Sequence, residues 1–99
     1  MILEKLNGNY AVYRIPSLVV TESGSLLACY ECRGSQSDWS RIDIKIIRST
    51  DKGESWQTVD IIPGDGHTLN NPMLTVDGDV IHLLYCMDYW VSGELCFKK

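Results

Sequence analysis

The chain repeats itself, and the repeat limits what it can fold into. Pro16, Leu18 and Val20 return as Pro72, Leu74 and Val76, each 56 positions on. Leu26, Leu27 and Cys32 return as Val80, Ile81 and Cys86, each 54 positions on. Between them lie short β-rich runs parted by turn residues, with almost no helical periodicity. The first unit reads as four strands, over about 13–21, 26–33, 42–49 and 57–62, with Glu22–Ser25 turning the first hairpin. A Gly-containing connector at 63–68 follows. The pattern then restarts, with runs at about 71–76, 80–87 and 94–98. A period near 55 with four strands per unit marks a propeller blade. The expectation is an all-β chain of about two four-stranded antiparallel blades. The first spans about 13–62; the second, over about 71–99, is short of its last strand. Blades bury their faces on their neighbours. Two blades leave broad faces uncovered, so the chain is expected to be part of a larger propeller or to self-associate through those faces. The alternative is a self-contained sandwich of seven strands.

Charge excludes some partners. The net charge of -4 is spread along the 99 residues without a run. No basic stripe exists to meet nucleic-acid phosphates or an anionic membrane. No window approaches the ~18 apolar residues of a membrane span. Met1–Lys5 opens no apolar leader, so the chain as written is expected in the cytoplasm. Cys29 and Cys32 form a CxxC, but inside a strand reading. Positions i and i+3 of a strand point to opposite faces, so the two sulfurs cannot share a metal. No metal or cofactor is expected.

Two features carry the functional reading. The first is Ser49-Thr-Asp-Lys-Gly-Glu-Ser-Trp56, which fits S-x-D-x-G-x-x-W. Asp51 can accept hydrogen bonds from the turn's own N–H groups. Gly53 supplies positive φ, and Trp56 anchors the hairpin with a large ring. The second is the first hairpin. With Glu22–Ser25 as a four-residue loop, Arg14 faces Arg33. Two arginines directly opposed repel, unless an anion sits between them. Arginine suits a planar carboxylate, and Glu31, two residues before Arg33, can orient one guanidinium. On hairpin geometry alone, two solvated arginines at a strand end are an equal alternative.

The turn resembles the Asp-box of sialidases and related propellers, where it lies away from the active site. This makes Ser49, Asp51, Gly53 and Trp56 structural. Tyr13-Arg-Ile-Pro16 is similar to the (F/Y)RIP motif of sialidases, and Tyr30-Glu-Cys-Arg33 followed by Asp38 is similar to that family's next segment. The resemblance runs from about Tyr13 to Tyr85. It implies part of a six-bladed propeller that acts as an exo-α-sialidase on sialylated glycans. Arg14 and Arg33 would bind the carboxylate of sialic acid, Glu31 would support them, and Asp38 would be the general acid/base. Trp39 beside it could exclude water and raise the acid's pKa. Asp43, a rival acid, lies within an alternating strand and reads as structural. Asn70 stands two before Pro72, as Arg14 stands two before Pro16, so Asn70 and Asn71 are expected at the same end of their blade, near bound sugar. The family's nucleophilic tyrosine, its glutamate partner and a third arginine have no matching context here; Tyr89 and Glu94 do not supply one. The chain alone is therefore expected to be inactive. A non-catalytic propeller that binds sialoglycans is the alternative.

Overall fold

The computed structural model describes residues 10–35, 37, 40–88 and 94–98. The described residues are all-β, with no helix among them. Strands β1 (Val12–Val20), β2 (Leu26–Arg33), β3 (Ile42–Ser49) and β4 (Gln57–Ile62) form one antiparallel sheet in the order of the chain. Strands β5 (Leu69–Asp77), β6 (Val80–Met87) and β7 (Glu94–Lys98) form a second. Two successive up-and-down sheets are the arrangement of consecutive propeller blades.

Alternation along β2 gives each face its own core. Leu27 and Cys29 point one way and pack with Ile44, Leu69, Leu74 and Leu83 in a cluster that joins the two sheets. Ala28, Tyr30 and Cys32 point the other way and pack with Ile47, Tyr10, Tyr13 and Trp56. Cys29 and Cys32 thus lie on opposite faces, as strand geometry requires. Polar stitches add to the joint: Leu74 N–H donates to Ser17 Oγ at 3.2 Å, and Thr68 Oγ1 donates to the Ser40 carbonyl at 2.9 Å.

The first hairpin corrects the sequence reading in two ways. Its loop has three residues rather than four: Thr21 N–H bonds the Ser25 carbonyl, Gly24 N–H bonds the Thr21 carbonyl, and Gly24 takes φ +86°. Val20 then pairs with Leu26. Further along, β1 carries one extra residue between Arg14 and Ser17, a β-bulge. The bulge holds Ile15 at φ 54°, directly before Pro16, which has no N–H for the ladder. Positive φ is rare for a β-branched residue. The second sheet repeats the device at the matching place. Asn71 has φ 52° before Pro72, and the register shifts between Asn70 and Met73. The second hairpin closes more tightly, with Asp77 opposite Val80. Leu18 faces Ala28 while Leu74 faces Leu83, so β6 follows β2 by 55 positions rather than 54. Met87, not Cys86, is the counterpart of Cys32.

Candidate functional site

The register places Arg14 opposite Glu31, and Arg33 opposite Val12. The two arginines do not face each other. The shorter loop and the bulge each slip the pairing by one residue, and together they move Arg14 two positions along β2. A slip of two preserves the face. Arg14, Glu31 and Arg33 therefore still share one side of the sheet, with Glu31 between the guanidinium groups in the ladder.

Their environments differ sharply. Glu31 is 0% exposed and Arg33 is 3% exposed. Arg33 donates to Glu31 Oε1 through Nε at 2.8 Å and lies at 2.7 Å through its terminal nitrogen. A buried charge persists only when paired and hydrogen-bonded, and this pair meets that condition. Glu31 Oε2 accepts the Asn71 N–H at 2.7 Å. One carboxylate thus holds an arginine of the first sheet and the bulge of the second. Arg14 is exposed and makes no ion pair among the described residues. With Glu31 and Arg33 neutralising each other, Arg14 is the uncompensated charge beside them; Arg48, opposite Leu27, is exposed at the far end of the same face.

Asn70 sits at the Arg14 position of the second sheet, opposite Cys86. Its side chain is wholly buried, and among the described residues neither amide atom has a hydrogen-bond partner. It presents nothing to solvent. Asn71 is exposed, with its backbone committed to Glu31. Asp38 and Trp39 lie outside the described residues.

Asp43 is mostly buried and fully engaged. Its Oδ2 accepts the Tyr10 hydroxyl and its Oδ1 accepts the Gly64 N–H, each at 2.8 Å. Burial, then the bond to Asp43, pushes the Tyr10 hydroxyl up to about 12. Gly64 fits where no larger residue would: an added Cβ would lie 2.6 Å from two carbonyl oxygens. Asp43 fastens the connector and is not disposed as a free acid. The Tyr10 and Gly64 bonds join distant segments and have no local sequence signal. His67, which carried no expectation, meets Asp88 Oδ2 at 2.6 Å, while Thr68 N–H donates to Asp88 Oδ1 at 2.9 Å. An apolar cleft of about 240 Å³ between the sheets is lined in part by Leu27, Ile46, Val59 and Leu74, and includes none of Arg14, Glu31 or Arg33.

The turn from β3 to β4 is closed by its own side chains. Ser49 Oγ donates to Asp51 Oδ1 at 2.7 Å and accepts the Gly53 N–H at 2.8 Å. Asp51 also accepts the Ser55 N–H at 2.9 Å and the Ser55 hydroxyl. Gly53 takes φ +91°, and Trp56 Nε1 donates to its carbonyl at 3.1 Å. The Ser55 hydroxyl, chiefly, holds the Asp51 carboxyl down at about 2. A depressed folded pKa stabilises above the unfolded value and loses that contribution as pH falls. Unfolding midpoints of the native chain should therefore drop more steeply than those of Asp51→Asn between roughly pH 4 and pH 2. Parallel curves in urea titrations would refute this.

No family model matches the chain, and no solved structure matches it. A sialidase of Bacteroides fragilis (strain YCH46) is 31% identical over 80 residues, which cover 70% of this chain and 15% of the relative. An exo-alpha-sialidase of Arthroderma benhamiae (strain ATCC MYA-4681 / CBS 112371) is 34% identical over 84 residues, covering 77% of this chain and 21% of the relative. The chain thus spans about a fifth or less of the length of these curated relatives.

Proposed function

We propose that this chain, which is sialidase-like over most of its length, forms the anion-recognising part of an exo-α-sialidase site for terminal sialosides. One observation carries the reading. Arg14 stands exposed on the face where Glu31 and Arg33 form a neutral buried pair. At this end of the face, among the described residues, Arg14 is the accessible cation and suits one carboxylate. Arg14 takes the carboxylate of sialic acid directly. Arg33, fixed by Glu31, supports it from beneath. The sheets meet at this point through Asn71 and Glu31, so the second sheet can bring Asn71 to bound sugar. Asp38, five residues beyond Arg33, supplies the proton to the leaving oxygen in a retaining hydrolysis, with Trp39 shielding it from water. The S-x-D-x-G-x-x-W turn serves as an Asp-box of a propeller.

Free sialic acid titrated into the chain, followed by NMR shift changes, tests the clamp. Arg14→Ala should weaken binding roughly ten- to hundredfold, since a hydrogen bond to a charged group contributes about 1.5–3 kcal/mol. The methyl ester of sialic acid should bind the native chain as weakly as the variant binds the acid. Equal affinity of variant and native chain sinks the proposal. Turnover of a fluorogenic sialoside by the longer protein separates hydrolysis from binding without catalysis.

A further inference from the structure

The connector between the two sheets carries an imidazole that is fixed on every side but one. The His67 N–H bonds the Gly64 carbonyl at 2.9 Å and closes a turn. Gly64 is pinned in turn by Asp43 and has no room for a side chain. His67 Nδ1 meets Asp88 Oδ2 at 2.6 Å. Asp88 is itself held: its Oδ1 accepts the Thr68 N–H at 2.9 Å, and its own N–H donates to the Thr68 carbonyl at 2.8 Å. The Thr68 N–H, then His67, holds the Asp88 carboxyl below its ordinary range. Asp88 is therefore an anion that accepts. In the neutral ring, an acceptor at Nδ1 keeps the proton on that nitrogen and leaves the lone pair on Nε2. Nε2 has no partner among the described residues, and the side chain is 52% exposed. Holding an exposed side chain in one pose costs rotamer entropy, a cost that a ligand then need not meet on binding.

The topology places this imidazole at the end of the sheets that carries Arg33. Arg33 pairs with Ile42, and Ile42 bridges to Thr68. Neighbouring strands lie about 4.8 Å apart. The backbone at Thr68, next to His67, thus stands roughly 10 Å from that of Arg33, two strand spacings away. That is beyond one sugar ring and within the length of two. The same strand continues to Asn71, whose N–H reaches Glu31.

We infer that His67 is a second contact for the glycan: with the carboxylate of the terminal sialic acid on Arg14, Nε2 accepts a hydrogen bond from a hydroxyl of the sugar to which that residue is joined. Asp88 is the positioning residue that turns Nε2 outward. The inference rests on the reading of Arg14 given above. It makes the chain selective for a sialic acid attached to a further sugar.

Two ligands test it, the methyl α-glycoside of sialic acid and sialyllactose, each titrated into the chain at pH 8 and followed by NMR shift changes. Both offer the carboxylate, but only sialyllactose offers a second sugar. The native chain should bind sialyllactose about two- to tenfold more tightly, the effect of one neutral hydrogen bond. His67→Asn keeps a side-chain N–H where Nδ1 stood, so Asp88 retains a partner, but it has nothing at the place of Nε2. It should keep the native urea midpoint and the native affinity for the methyl glycoside, and lose the preference for sialyllactose. His67→Ala, which gives up the Asp88 bond as well, must lose the same preference. In the native chain the neutral ring should carry its proton on Nδ1 in long-range proton–nitrogen spectra. A His67→Asn variant that still prefers sialyllactose overturns the inference. So does a native chain without that preference, or a neutral ring protonated on Nε2. The reading of Arg14 fails separately: Arg14→Ala should weaken both ligands alike, and an unchanged affinity for the methyl glycoside would count against Arg14 and not against His67.

Discussion

Replacing Glu31 by alanine should cost the fold about 3–5 kcal/mol, the usual penalty for removing one partner of a buried ion pair. Arg33 would then hold a positive charge at 3% exposure with its Glu31 partner gone. The Asn71 N–H would lose its acceptor at the same time, an added cost of about 1–3 kcal/mol if no water replaces it. A domain of this size has roughly 5–15 kcal/mol in all, so the variant should be largely unfolded under mild conditions. Glu31→Gln should lose less. Its amide oxygen can still accept one bond, and its shape is retained. Urea unfolding of the two variants checks both claims. If Glu31→Ala unfolds within ~0.5 kcal/mol of the native chain, the range of an ordinary surface change, the pair does not secure this joint. The variant should also bind sialic acid more weakly, because the support of Arg33 is the same carboxylate that ties the sheets.

The strands were legible in the sequence because alternation and turn residues are local signals. Runs expected at 26–33, 42–49, 57–62 and 80–87 are the observed β2, β3, β4 and β6. The register was less legible. Whether Glu22–Ser25 makes a loop of three residues or four rests on which backbone atoms close it. The bulge at Ile15 has no local mark beyond the following proline. Two slips of one residue moved Arg14 from Arg33 to Glu31 but left all three on one face, since side chains alternate with a period of two. The candidate site therefore kept its members and changed its pairing. Asn70 shows a different limit. The repeat placed it at the Arg14 position correctly, but position in a strand does not tell whether a side chain is exposed or buried. Nor could the bond between Glu31 and Asn71 be read in advance, because it joins positions 40 apart through a backbone group.

The repeat also sets up a comparison in which one chain is its own control. Leu74→Ala should destabilise by about 2–5 kcal/mol, the cost of truncating a buried leucine whose surroundings cannot fully collapse. Leu74 fills the seam between Leu27, Cys29 and Ile44 on one sheet and Leu83 on the other. Leu18→Ala makes the same chemical change at the matching position of β1, where the side chain is 58% exposed. It should change stability by no more than ~0.5 kcal/mol in dilute monomer. Urea midpoints at low protein concentration measure both. The gap between the variants then reports how much the second sheet contributes by packing on the first. Equal effects would mean that the seam is loose and that the sheets fold without supporting each other.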